Sequence, residues 1–365
     1  MYLEIDGSFG EGGGQILRSG LALSAILQRP IKITNIRAGR KKPGLSAQHL
    51  TGVHAIAEIT DAEVHGAEMR SQELTFTPHT LKPGNYIFDV ARVQPSAGAI
   101  SLIFQAIVLP LAFADAPSTV ILRGGTHVAW SPTVHYIREL FLEYAKKFGV
   151  HAEITLNKWG WYPKGGGEAI VKIQPISRKA NGNPALKEFR LLERGELTEI
   201  TGISAISNLP MSIAQRQQQR AIRRLRDITQ NVNIELFDAP SIGQGTVVFL
   251  KAVFEHTVAG FSALGERGKR AEKVADEACD ELREFINTDS AIEPHLSDQL
   301  VLLMALAEGH SAFTTSKITR HLTTNIWLVE NFLPIRFHVL GQEGKPGEVS
   351  IRKVNRGRCQ SRHEM

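Results

Sequence analysis

Cysteine is nearly absent: among 365 residues only Cys279 and Cys359 occur. Two cysteines cannot build a disulfide framework or a structural zinc site, so both are read as reduced, unpaired thiols. Long apolar runs are missing too. No stretch of about 18 residues is free of polar interruption, which speaks against a membrane-spanning helix. The segment Tyr2-Leu3-Glu4-Ile5-Asp6 alternates like a strand and lacks the basic-then-apolar layout of a secretory signal. A cytoplasmic location, with no membrane partner, is the expectation. Charge of one sign is scarce as well: 42 Lys and Arg stand against 37 Asp and Glu, a formal +5 that permits a polyanionic partner without demanding one.

What is present suits a globular protein, with 42% hydrophobic and 22% charged residues. The length exceeds what one core usually supports, so two domains are expected. Apolar periodicity gives an order of elements, helix, strand, helix, strand, strand, that recurs. A first copy runs from the helix at Gly14–Leu27 to a closing strand at Tyr86–Val90. A second runs from the helix at Ala97–Ala114 to the strand at Ala169–Ile173. A third runs from the helix at Leu296–Ala307 to the strand at Val349–Val354. Between the second and third copies, after the polar linker Ser177–Pro184, lies a stretch of different texture, with an Arg- and Gln-rich helix at Ser212–Asp227. The fold class expected is α/β (α+β): a large domain of three repeated α/β units at 1–184 and 288–355, a small α+β domain inserted at 185–287, and a disordered tail at 356–365. The start of the insert could still belong to the third unit.

Three local patterns carry chemistry. Gly10-Glu11-Gly12-Gly13-Gly14-Gln15 follows a strand and opens a helix containing Arg18. Glycines let backbone N–H groups approach an anion, the helix start adds positive potential, and an arginine one turn inside can reach the same oxygens. This is neither the Walker nor the dinucleotide spacing, and a tight turn that merely needs glycine is the alternative. The loop Ile36–Leu45 holds Arg37, Arg40, Lys41 and Lys42, with Gln48 and His49 following. Guanidinium groups fork onto phosphate oxygens, so Arg37, Arg40 and Gln48 would form a clamp; otherwise the loop is a solvated basic one. Third, Trp159-Gly160-Trp161-Tyr162-Pro163-Lys164-Gly165-Gly166-Gly167-Glu168 joins two strands. It is either a glycine-rich hairpin turn or a substrate contact.

These stretches, with Asp298-Gln299-Leu300 and His321-Leu322-Thr323-Thr324-Asn325-Ile326, resemble the motifs of the RNA 3′-terminal phosphate cyclase family, in its histidine-containing, catalytic branch. The resemblance covers nearly the whole chain, and Trp159 stands where an arginine or histidine is usual. It implies three units related to the enolpyruvyl transferase fold and an insert resembling the C-terminal domain of a translation initiation factor. It also makes His321, one of thirteen histidines, the nucleophile. The physics agrees: Thr319-Arg320-His321 starts an amphipathic helix, where positive potential disfavours imidazolium and preserves the lone pair needed to attack phosphorus.

By the same resemblance, His321 attacks the α-phosphorus of ATP, releasing pyrophosphate. AMP passes from the histidine to an RNA 3′-phosphate, and the neighbouring 2′-hydroxyl then expels AMP to leave a 2′,3′-cyclic phosphate. Arg18, Arg37, Arg40 and Gln48 match phosphate-holding positions, and Glu11 matches one that meets the divalent metal, Mg²⁺ or Mn²⁺, that arrives with ATP. Gln105, Pro132, Asp298 and Gln299 match the nucleotide pocket, and His295 stands where some members stack an aromatic ring on adenine. Two rivals are a cyclase-like, non-catalytic RNA-binding factor of ribosome maturation, whose kind lacks the histidine, and an enolpyruvyl transferase. The arginines of the inserted helix, Arg216 to Arg226, could guide RNA or form a solvated face, and stay outside the site.

Overall fold

The computed structural model describes residues 1–92, 94–178 and 185–352. The expected tail at 356–365, Cys359 and most of the 177–184 linker lie outside them. The first unit contains β1 (Leu3–Asp6), α1 (Gly14–Leu27), β2 (Ile31–Thr34), α2 (Ala47–Thr60), β3 (Glu63–His65) and β4 (Leu74–Thr77). The second contains β5 (Asn85–Asp89), α3 (Ile100–Phe113), β6 (Ser118–Gly124), α4 (Val134–Tyr136), a π-helical turn at Ile137–Phe141, α5 (Leu142–Lys147), β7 (Ala152–Lys158) and β8 (Gly167–Ile173). Its sheet, in spatial order β5-β6-β8-β7, repeats that of the first, β1-β2-β4-β3. In each, the first two strands run parallel and the last two form an antiparallel hairpin.

Each unit therefore begins with a strand. The strand expected to close the first unit, Tyr86–Val90, instead opens the second: β5 pairs in parallel with β6, from Asn85 opposite Thr119 to Asp89 opposite Arg123. A short strand on the end of one hairpin looks, in sequence, the same as the first strand of the next unit. The third unit shows the same ambiguity. Its opening strand, β9 (Arg190–Leu191), pairs in parallel with a strand more than a hundred residues later, across the inserted segment.

The insert comprises β10 (Leu197–Ser207), α6 (Met211–Leu225), β11 (Val232–Asp238), β12 (Gly245–Phe254), β13 (Val258–Leu264) and α7 (Ala271–Ile286). It forms its own sheet, β11-β10-β12-β13, with its own core around Leu225, Leu250, Phe261 and Phe285. The third unit resumes with α8 (Pro294–Leu306), β14 (His310–Thr315), α9 (Arg320–Phe332), β15 (Phe337–Gly341) and β16 (Gly347–Arg352), in the order β15-β16-β14-β9. The arginines of α6 turn toward α7: Arg220 and Arg224 bond Asp276 at 2.7 and 3.1 Å, and Arg224 reaches Asp280 at 2.8 Å.

One core joins the three units. Helix α3, Ile-Ser-Leu-Ile-Phe-Gln-Ala-Ile-Val-Leu-Pro-Leu-Ala-Phe, is apolar almost all round, as a helix enclosed by neighbours must be. It packs on α1 and α2, α1 packs on α9, and α9 packs on α8. No described helix is long and apolar enough to cross a membrane.

Candidate active site

The central packing of helices gathers their N-terminal ends. Helix α1 starts after Gly13, α2 after Ser46, α8 after Glu293 and α9 after Thr319. Each exposes N–H groups without intrahelical partners and a positive dipole end. Local chemistry sets the starts: Thr319 Oγ1 accepts the Leu322 N–H at 3.1 Å, and the Glu293 carboxylate accepts the N–H groups of His295 and Leu296 at 2.7 and 2.8 Å. At α2, the Ser46 N–H donates to His49 Nδ1 at 3.2 Å.

His321, the second residue of α9, keeps about half its side chain exposed. Its Nδ1 lies 3.0 Å from Gln15 Oε1, and Gln15 Nε2 donates to Asp298 Oδ2 at 2.6 Å. The amide thus has a fixed sense, with its nitrogen toward the carboxylate and its oxygen toward the ring. An oxygen can only accept, so Nδ1 carries the proton and Nε2 the free lone pair. Burial, then Arg18, His295 and Arg40, lower the pKa of His321 below the usual imidazole value and keep the ring neutral.

Further bonds fix the same corner. Asn325, four residues after His321 and so on the same helix face, accepts from Ser19 Oγ at 2.9 Å and donates to the Asp298 carbonyl at 2.8 Å. Thr324 Oγ1 accepts the Glu11 N–H at 3.0 Å and donates to the Arg320 carbonyl at 2.6 Å. Gly10 makes this approach possible, for its φ is +59° and a Cβ there would meet Thr324 Oγ1 at 2.2 Å. Glu11 pairs with Arg40 through Oε1, while Oε2 lies 3.9 Å from His321 Nδ1. Burial lowers Arg18 to about 10 and raises Asp298 to about 7, the latter against the pull of His295 and Arg18.

Not every residue singled out in the sequence meets at His321. Glu11, Arg18, Arg40, His295 and Asp298 surround it through the bonds and charges just described. Gln105, the one amide of α3, donates to Gln299 Oε1 at 2.9 Å, so these two hold α3 to α8. Gln48 Oε1 accepts the Ala99 N–H at 2.7 Å, just before α3. The Arg37 guanidinium bonds the Gly44 carbonyl of its own loop at 2.6 Å, and after burial it is Arg37 and then Arg18 that lower the pKa of His49, to about 3. Pro132 sits between Ser131 and Thr133, which line a different cleft. Gln15, Thr324 and Asn325 also belong to this corner, though their residue types alone do not single them out. The signal was their position, since Gln15 ends the glycine run and Asn325 stands one turn after the histidine.

The family model described as RNA 3′-terminal phosphate cyclase matches residues 9–339, a span that includes all these motifs. A protein of that name from Gloeothece citriformis is 47% identical over 334 residues, covering 90% of this chain and 93% of its own. One from Methylococcus capsulatus is 44% identical over 98% of both chains, and one from Pyrobaculum aerophilum 43% identical over 94% and 97%. A solved enolpyruvyl transferase, NikO from Streptomyces tendae, aligns over 49% of this chain and 33% of its own at 14% identity and TM-score 0.27, a likeness too slight to carry an argument. The glycine-rich opening, the basic loop and the His321 helix that build one corner here all lie inside a match running nearly end to end, and the chain belongs to the RNA 3′-terminal phosphate cyclase family.

Proposed function

We propose that this protein spends ATP to convert RNA 3′-phosphate ends into 2′,3′-cyclic phosphates, with His321 carrying AMP between ATP and RNA. The observation that supports this best is the chain His321–Gln15–Asp298, which leaves a neutral ring with its lone pair on Nε2. Attack by Nε2 on the α-phosphorus forms a P–N bond and expels pyrophosphate. The ring becomes cationic, and the Nδ1–H bond to Gln15 strengthens at that moment because its donor is then charged. An interaction that grows along the reaction lowers the barrier rather than merely binding substrate.

An oxygen of the RNA 3′-phosphate then attacks the same phosphorus, the P–N bond breaks, and His321 leaves as a neutral imidazole. The adjacent 2′-hydroxyl attacks the activated 3′-phosphorus, loses its proton and expels AMP. The ribose holds that hydroxyl in place, and such proximity is worth about 7–11 kcal/mol. Arg18, Arg40 and the helix N-termini supply the positive field in which the polyphosphate would lie.

A magnesium ion fits this corner as a companion of the nucleotide. Among the described residues no group of three or more His, Cys, Asp and Glu is poised to hold a metal, and Glu11 offers a single carboxylate. Magnesium is commonly held by one or two carboxylates, with phosphates and water completing its shell. Bound there, it would neutralise phosphate charge.

The test is incubation with ATP labelled at the α-phosphate. Wild type acquires an acid-labile label that RNA with a 3′-phosphate discharges, and His321→Ala acquires none. RNA binding without label on either protein would sink the proposal in favour of a non-catalytic RNA-binding role. An enolpyruvyl transferase would likewise take no label.

A further inference from the structure

A cleft of about 2370 Å³ opens between the second unit and the insert. Small-molecule sites usually measure roughly 300–1,000 Å³, so a nucleotide alone would leave most of it empty. Gln48, at the start of α2, lines one end. The cleft therefore reaches the start of α2, one of the helix N-termini of the candidate active site.

Its walls present aromatic rings to solvent. Trp130 is 100% exposed and Tyr162 78% exposed. Trp130 also adopts φ +64°, a left-handed backbone that bulky residues rarely accept and that concentrates at functional sites. The glycine-rich segment of the sequence holds Tyr162 in place. Trp159 and Trp161 are buried in a small cluster with Ala205, Ala239 and Val247 of the insert, and the Trp159 N–H donates to the Pro240 carbonyl at 2.9 Å. Trp161 lies so close over Gly245 that a Cβ there would meet its ring at 2.1 Å. Two tryptophans thus pin the segment to the insert, and the tyrosine beside them is left facing the cleft. Lys164 and Arg267 add positive charge to its lining; of the other cations there, Arg216 and Arg270 pair with Glu272 and Lys269 with Glu277.

Exposed rings interleaved with cations are what an unpaired nucleic acid strand needs: faces on which bases stack and charge along its phosphodiesters. A protein partner would ask for a contiguous apolar patch, and a duplex keeps its bases stacked inside. We propose that this cleft holds the single-stranded nucleotides upstream of the RNA 3′-phosphate, with bases stacked on Trp130 and Tyr162 and the insert as one wall of the track. The proposal rests on the function given above.

The experiment compares a 3′-phosphorylated oligoribonucleotide of about ten residues, within the usual range of single-strand sites, with a 3′-phosphorylated dinucleotide. Binding is read by fluorescence anisotropy and cyclisation by KM, on wild type, Trp130→Ala, Tyr162→Ala and Trp130→Phe. Each alanine variant is expected to weaken the decamer roughly tenfold or more and to leave the dinucleotide as in wild type, with Trp130→Phe restoring most of the loss. Because both side chains are exposed, folding is not at stake. Decamer affinity unchanged in both alanine variants, or a blunt duplex binding as tightly as the single strand, overturns the track. Failure of wild type to take label from ATP overturns instead the catalytic reading, while the anisotropy comparison still reports on the cleft.

Discussion

Replacing Gln15 by methionine tests the central geometric argument, because methionine nearly conserves volume and removes both hydrogen-bonding groups. Gln15 is 5% exposed, so the substituted side chain stays packed, and near-ultraviolet circular dichroism checks that it does. Two bonds vanish: the 3.0 Å contact that fixes the His321 proton on Nδ1 and the 2.6 Å contact to Asp298. The first matters most when the ring becomes cationic, and hydrogen bonds to charged groups are worth about 1.5–3 kcal/mol. At 1.36 kcal/mol per tenfold, adenylylation should slow roughly ten- to 150-fold. Gln15 bonds the nucleophile, so the loss should fall on the single-turnover rate and spare the ATP concentration dependence. Gln15→Glu adds a diagnostic sign: a carboxylate beside Nδ1 stabilises imidazolium and raises the His321 pKa, so labelling fails at higher pH than in wild type. Labelling of Gln15→Met at the wild-type rate across pH 5 to 8, in folded protein, would refute the reasoning.

Other outcomes follow from the same corner. The His321 pKa is lowered by burial and by Arg18, so wild-type labelling should persist below the usual imidazole range. Arg18→Met removes a depressing charge and should move the acid limit of the label profile upward; an unmoved limit would show that Arg18 does not act on the ring. Glu293 is fully buried, burial raises its carboxyl to about 7, and the Tyr136 hydroxyl donates to it. A carboxyl raised on folding makes stability fall as pH rises from the unfolded value toward 7. Tyr136→Phe leaves the charged form short of a donor and should destabilise by about 1–3 kcal/mol, more at pH 8 than at pH 5, in urea titrations; equal losses would contradict the assignment. Gly10→Ala, in a left-handed backbone and against Thr324, should disturb the Glu11 loop and reduce ATP labelling, with urea titrations expected to show a loss of roughly 1–3 kcal/mol.

Much of the architecture could be read from the chain. The helix–strand order recurs because each helix buries one stripe and each strand one face, and those periods are local properties of sequence. What could not be read is which sheet a short strand joins. Neighbouring chain segments do not decide pairing at Asn85–Asp89, whose partner is β6, or at Arg190–Leu191, whose partner β14 lies beyond the whole insert.

The site divides in the same way. The glycine run opening a helix marked Arg18 as a phosphate contact, because glycine-rich turns and helix starts are written in consecutive residues, whereas His321, Glu11 and Asp298 were marked by the resemblance of their motifs to the family's. Only the folded chain decided that Gln15 orients the histidine, that Arg37 bonds its own loop, and that the arginines of α6 pair with α7. Each of those facts depends on a hydrogen bond or ion pair of a few ångströms, most of them between segments tens to hundreds of residues apart. The sequence determines which groups are available, and tertiary packing alone determines which of them meet.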